Sequence, residues 1–167
     1  MKKQFKLQHE SKSTINAGFI VFAYGSNMNR RQMALRCPSA RPLGVARLPE
    51  HRLMFAGHNA RWGGGVATVV PARRSSVLGV VWWLTKGDLD RLDTFEGYPF
   101  VYDRAPIIVR AGQREIWCHT YVKNAADRQT APSEEYLRTI FDGYHAAGAR
   151  VPAQLKKLYA EVTYGAS

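Results

Sequence analysis

The sequence predicts an α+β fold organised around a curled or closed β-sheet. Short segments of β character recur through the middle of the chain, and a few helical patterns are interspersed among them. Neither an internal repeat nor a low-complexity tract is present. At 167 residues the chain fits one domain, over residues 17–167, and it is long enough to bury a core without disulfide or metal staples.

Residues 1–16 are polar, Lys-rich and aperiodic, and are expected to form a flexible N-terminal leader. From Gly18 the run Phe19-Ile20-Val21-Phe22-Ala23-Tyr24 is continuously apolar, as in a strand covered on both faces. Gly25-Ser26-Asn27 breaks it, and Asn29 can cap a short helix reaching about Arg36. Cys37-Pro38 ends that helix, because the residue before proline is pushed out of the α region. Four β segments are expected next, Ala40–Leu48, Arg52–Phe55, Gly65–Val70 and Ser76–Leu84, with a mobile loop over Gly57–Gly64. Thr85 followed by Asp88 resembles a capping box; the helix it opens sets Leu89, Leu92 and Phe95 on one stripe and ends at a left-handed Gly97. Strands are expected near Arg104–Arg110 and Glu115–Lys123. In the second, Trp117, His119 and Tyr121 alternate with Ile116, Cys118, Thr120 and Val122. A helix from Ser133 to about Ala147 follows, and a last one carries Pro152 in its first turn.

Composition narrows the function classes. Hydrophobic residues make up 46% and aromatic residues 11% of the chain, which suits a globular protein. The longest apolar run, Val77–Leu84, is too short to span a bilayer, and no targeting segment is evident, so the cytoplasm is the expected location. Cys37 and Cys118 lie far apart and read as reduced, buried thiols. The net charge is +11, and ten Arg or Lys face one acid, Glu50, between Met28 and Gly87. These charges are scattered. They read first as solvated surface, then as a field steering an anionic small substrate, and last as a nucleic-acid or acidic-partner surface.

Two places could carry chemistry. The turn Tyr24-Gly25-Ser26-Asn27 ends a buried strand and opens onto a helix, so backbone N–H groups and short polar side chains are presented together. Such a cradle suits a carboxylate or a developing oxyanion, although an ordinary strand-to-helix turn uses the same residues. Ser26 is a poor nucleophile candidate because Met28 stands where a nucleophile elbow requires glycine. Glu96 lies four residues after Leu92 and seven after Leu89, which places it on the apolar stripe and at the negative end of its helix. Desolvation and the helix dipole both raise a carboxyl pKa there, as a general acid/base requires; a Glu swung into solvent is the plainer alternative. Asp88, Asp90 and Asp93 are expected in solvent or at the helix N-terminus. Tyr98, Tyr102, Tyr121 and Tyr136 could line a pocket or simply pack. No histidine spacing suggests a metal site, and Gly63-Gly64-Gly65 fits neither phosphate-binding pattern.

Taken together, several strings resemble the γ-glutamylcyclotransferase family. They are Phe22-Ala23-Tyr24-Gly25-Ser26-Asn27-Met28, Pro38-Ser39-Ala40, Val45-Ala46-Arg47-Leu48, Gly64-Gly65-Val66-Ala67-Thr68, Val77-Leu78-Gly79-Val80-Val81-Trp82 and Leu92-Asp93-Thr94-Phe95-Glu96-Gly97, with Tyr102 soon after. The likeness runs from about Phe22 to Tyr136. It implies a small closed, mixed, Greek-key β-barrel with flanking helices and an enzyme that turns a γ-glutamyl compound into 5-oxoproline and a free amine or amino acid. It further implies that Tyr24, Gly25, Ser26 and Asn27 bind the glutamyl group, that Glu96 is the acid/base, and that Tyr102, Tyr121 and Tyr136 line the pocket. No metal or other cofactor is expected, and the expected partner is a small γ-glutamyl substrate. The alternative is a catalytically silent binding module of the same fold that uses its basic surface. Tyr98-Pro99 resembles bacterial members, and with the high charge it leaves the amine released open.

Overall fold

A computed structural model describes residues 18–124 and 127–165; the expected leader over residues 1–16 lies outside the described residues. Five strands, β1 (Phe19–Ala23), β2 (Arg41–Asn59), β3 (Gly64–Leu84), β4 (Tyr102–Ala111) and β5 (Arg114–Lys123), close into a barrel in the order β1-β3-β2-β4-β5. Every pairing is antiparallel except the closing one, β1 with β5, so the barrel is mixed. Among the described residues, a single 3₁₀ turn (Ser26–Met28) and four helices, α1 (Arg30–Arg36), α2 (Lys86–Glu96), α3 (Glu134–Ala146) and α4 (Ala153–Tyr164), flank it. The closed barrel with flanking helices is the expected fold.

The apolar run of β1 is explained by its neighbours. It lies between β3 and β5, and Val21, Phe22 and Ala23 are buried. Its parallel joint with β5 is short, with Val21 opposite His119, and the buried Thr120 reinforces it by donating its hydroxyl to the Phe22 carbonyl at 2.8 Å. Val81, Leu84, Leu92, Val109, Leu137, Ile140 and Tyr144 complete a continuous core.

The four expected β segments between Ala40 and Leu84 are two long strands of 19 and 21 residues, well beyond the usual ~3–10. The breaks expected after Leu48 and Val70 fall at Pro49 and Pro71, where the hairpin has an irregularity instead of an end. The register passes from Pro49 opposite Ser76 to His51 opposite Pro71. Glu50 (φ 55°) and Arg74 (φ 59°) take up the left-handed backbone there, and the Glu50 carboxylate accepts the Arg74 N–H at 3.2 Å. A bulge tolerates proline and the extra residues that a regular ladder would reject. The loop expected over Gly57–Gly64 is likewise shorter. Pairing continues to Asn59 opposite Gly64, and the Asn59 carboxamide oxygen accepts the Trp62 N–H at 3.2 Å.

The helix signals read from sequence are realised with small shifts. Asn29 caps α1 by accepting from the N–H groups of Arg31 and Gln32 at 3.0 and 3.1 Å. Thr85 and Asp88 form a reciprocal capping box, and Gly97 closes α2 with φ 65°. Leu89 and Leu92 face the core, but Phe95 is 49% exposed and leaves the expected stripe. Ser133 caps α3, and Pro152 stands just before α4 instead of in its first turn. Gly143 lets α3 rest on the 3₁₀ turn, since a Cβ there would lie 2.6 Å from the Met28 Cβ. On β5 Tyr121 departs from the expected alternation: Trp117 is 63% exposed, whereas Tyr121 is buried. Among the described residues, no helix is long and apolar enough to cross a membrane.

Candidate active site

The chain leaves the barrel at Ala23 and turns at once. Gly25 occupies a tight spot: a Cβ there would sit 3.1 Å from the Ala67 Cβ and 3.2 Å from the Tyr136 hydroxyl. The 3₁₀ turn uses the carbonyls of Gly25 and Ser26, which accept the N–H groups of Met28 and Asn29 at 3.0 and 2.9 Å. The N–H groups of Gly25, Ser26 and Asn27 have no backbone acceptor among the described residues.

α1 then supplies two residues that the sequence reading did not single out. Gln32 and Arg36 are four apart, hence on one helix face. That face looks onto the turn. The Gln32 amide donates to the Ser26 hydroxyl at 2.8 Å and to the Asn27 oxygen at 3.2 Å. Arg36 Nη1 donates to the same Asn27 oxygen at 2.8 Å and to Glu96 Oε1 at 3.0 Å. Asn27 Nδ2 completes the circuit by donating to Glu96 Oε1 at 2.8 Å. With both acceptor and donor ends engaged, the Asn27 side chain has one orientation. Ser26 is bonded to Gln32, not to a histidine.

Glu96 is the last residue of α2, and its side chain is 13% exposed against 9% for Arg36. Burial raises its pKa; the Arg36 guanidinium and the Asn27 amide pull the other way, and burial dominates. Oε1 takes both donors, while Oε2 has no hydrogen-bond partner among the described residues.

Four tyrosines surround this carboxylate, each placed by the barrel. The Ala67 peptide in β3 positions two of them: its N–H donates to the Tyr136 hydroxyl at 3.1 Å, and its carbonyl accepts from Tyr102 at 2.8 Å. Tyr24 donates to the Tyr121 carbonyl. Tyr121 donates to Asp93 at 2.5 Å, and Arg104, its cross-strand partner, donates to both Asp93 oxygens at 2.9 and 3.1 Å. Asp93 was expected in solvent, but its side chain is only 17% exposed, because this pair on β4 and β5 encloses it. Burial pushes all four phenols up, Tyr136 to about 12 and the other three further. At neutral pH they are hydrogen-bonding groups and not bases. Tyr24, Tyr102 and Tyr121 spend their protons on protein acceptors. Tyr136 accepts from Ala67, and its own proton has no hydrogen-bonded acceptor among the described residues.

All eight residues singled out from the sequence line one half-open cavity: Tyr24, Gly25, Ser26, Asn27, Glu96, Tyr102, Tyr121 and Tyr136. Tyr98 does not; it lies under the Arg104 guanidinium, 5.0 Å from ring centre to Cζ. Arg36, Gln32 and Asp93 were missed. The four-residue spacing of Gln32 and Arg36 beside the turn, and of Asp93 after Leu89 on the stripe that carries Glu96, was the signal available.

A family model described as "Gamma-glutamyl cyclotransferase, AIG2-like" matches residues 21–138. The human protein named gamma-glutamylcyclotransferase is 33% identical over 145 residues, covering 83% of this chain and 76% of the relative. The mouse protein of that name is 35% identical over 132 residues, covering 75% and 69%. A solved structure titled gamma-glutamyl cyclotransferase superposes with a TM-score of 0.78 at 32% identity, covering 86% of this chain and 88% of that one.

Proposed function

Since the chain belongs to the gamma-glutamyl cyclotransferase, AIG2-like family, we propose that it cyclises γ-glutamyl compounds, releasing 5-oxoproline and a free amine or amino acid. The observation that carries this reading is the buried Glu96 carboxylate, tied through Oε1 to Asn27 and Arg36 and with Oε2 unengaged, in the cavity wall beside the turn.

The glutamyl group lies in the cavity with its γ-carbonyl beside the N–H groups of Gly25, Ser26 and Asn27. The substrate's own α-amine attacks the γ-carbonyl carbon, so neither a protein nucleophile nor water enters the product. Holding the chain curled in that near-attack geometry is worth up to ~7–11 kcal/mol. Glu96 takes a proton from the attacking nitrogen and passes one to the departing nitrogen as the amide C–N bond breaks. Its raised pKa suits both halves of that task. The turn's N–H groups and the Tyr136 hydroxyl steady the oxyanion, at roughly 3 kcal/mol for each well-placed donor. Tyr24, Tyr102 and Tyr121 shape the wall around the glutamyl chain. The test is release of 5-oxoproline from a panel of γ-glutamyl amino acids and amines, abolished in Glu96→Gln. A folded wild-type protein that releases none from any member would overturn the reading.

A further inference from the structure

Glu96 stands at the C-terminal end of α2, where the last carbonyls of a helix lack partners within it and the backbone frays most readily. Displacing a reacting group by about an ångström can cost on the order of 10²-fold in rate, so the place of this residue matters as much as its pKa. Arg36 and Asn27 hold the carboxylate itself, from α1 and from the turn. The backbone that carries it is held from the barrel. Arg104, on β4, sets one guanidinium against two residues that flank Glu96. Its Nη1 donates to both oxygens of Asp93, three residues earlier, at 2.9 and 3.1 Å. Its Cζ lies 5.0 Å from the ring centre of Tyr98, two residues later. We propose that Arg104 is a positioning residue for Glu96, clamping the chain on both sides of it to the barrel wall. The proposal rests on the cyclotransferase reading for the task given to Glu96.

The surroundings of the pair support a clamp over an incidental surface contact. An exposed ion pair holds little, but here the side chains of Arg104 and Asp93 are only 24% and 17% exposed. The pair is seated on the wall of the site: Tyr121, the cross-strand partner of Arg104, lines the cavity and donates its hydroxyl to Asp93 at 2.5 Å. The two gripped residues are also joined to each other across the Gly97 turn, because the Tyr98 N–H donates to the Asp93 carbonyl at 2.9 Å. The last turn of α2 contains no basic residue, so Arg104 supplies from β4 the positive charge that favours the negative end of a helix. A guanidinium suits this place because it is planar. It can bond a carboxylate and lie against an aromatic ring at once, whereas an ammonium is a point charge. Neither Arg104 nor Tyr98 lines the cavity, so their influence on the substrate passes through Glu96.

The experiment takes wild type, Arg104→Gln, Arg104→Lys and Tyr98→Leu. On each it measures kcat and KM for 5-oxoproline release from the panel compound the wild type turns over fastest, and hydrogen exchange resolved by peptide. Arg104→Gln is expected to lower kcat by about 10-fold with KM within about 2-fold. The loss stays short of the 10² of a full ångström's displacement because Arg36 and Asn27 still hold the carboxylate. Exchange should quicken over residues 92–101 and not elsewhere. Arg104→Lys keeps the charge opposite Asp93 and should recover part of kcat. Tyr98→Leu, at an exposed position, should lose part of it. A merely structural role would quicken exchange throughout the barrel instead of at this turn. Wild-type kcat in either Arg104→Gln or Tyr98→Leu overturns the proposal, as does unchanged exchange over residues 92–101. Should Arg104→Gln fail to fold, Tyr98→Leu and Arg104→Lys decide by the same criteria. If the wild type turns over no compound but exchange quickens at this turn alone, the cyclotransferase reading fails and the clamp stands.

Discussion

Replacing Glu96 by Gln removes the group proposed to transfer protons and little else. The Gln oxygen can still accept from Asn27 Nδ2 and Arg36 Nη1, now 2.8 and 3.0 Å from Oε1. What is lost is the charge opposite Arg36. Removing one partner of a buried ion pair outright costs about 3–5 kcal/mol. Keeping both hydrogen bonds, and the Asn27 oxygen as a further Arg36 acceptor, reduces this to the worth of a charge-assisted over a neutral bond, about 1–2 kcal/mol. For a domain of this size that is a fall in Tm of roughly 2–8 °C, well inside the ~5–15 kcal/mol stability of ordinary domains. The activity loss is far larger. General acid/base catalysis contributes about 10²–10⁴-fold, so kcat for 5-oxoproline release should fall by that factor with KM little changed. The assay pairs initial rates of 5-oxoproline formation with a melting curve on the same preparation. A Gln variant that melts near the wild type and keeps a tenth or more of its kcat would refute the role of Glu96.

Arg36→Gln removes the group that favours ionised Glu96, leaving burial less opposed, so the Glu96 pKa rises further. A base is inactive while protonated; the acidic limb of kcat/KM should therefore move to higher pH, and an unmoved limb would count against the coupling. If Tyr136 is the oxyanion donor proposed above, Tyr136→Phe should lower kcat by about 10²-fold or more. Tyr121→Phe should cost less than 10-fold, because that proton is spent on Asp93, which Arg104 still holds; steady-state rates on the two variants compare them. Gly97→Ala strains a residue at φ 65° and brings a Cβ to 2.9 Å from Val101 Cγ2. It should cost about 1–3 kcal/mol, read by urea unfolding, and should also lower activity by displacing Glu96 beside it.

What was legible in the sequence was what is local. Asn29 as a cap, the Thr85/Asp88 box and the Gly97 stop depend on residues within a turn of one another, so their spacing alone predicts them. Glu96 was legible for the same reason: a helix stripe and a terminating glycine place it. Arg36 was not, because its burial is decided by the docking of α1 against the end of α2, more than fifty residues away in sequence. Asp93 shares the Glu96 helix, but its partners Tyr121 and Arg104 reach it only once β4 and β5 have paired. The long β2–β3 hairpin was divided too finely because Pro49 and Pro71 signal an end to a regular ladder, and only the pairing partner reveals a bulge. The γ-glutamylcyclotransferase resemblance joined the turn to Glu96 before any geometry was available; the cavity contains both.

The central claim is that the substrate's own amine, and not water, displaces the leaving group at the site built from the Tyr24–Asn27 turn and Glu96. Reaction in ¹⁸O-labelled water with product mass spectrometry tests it most directly. The account predicts unlabelled 5-oxoproline formed in step with the released amine or amino acid, and no free glutamate. Glutamate carrying ¹⁸O in its γ-carboxylate would mean hydrolysis and would contradict the account.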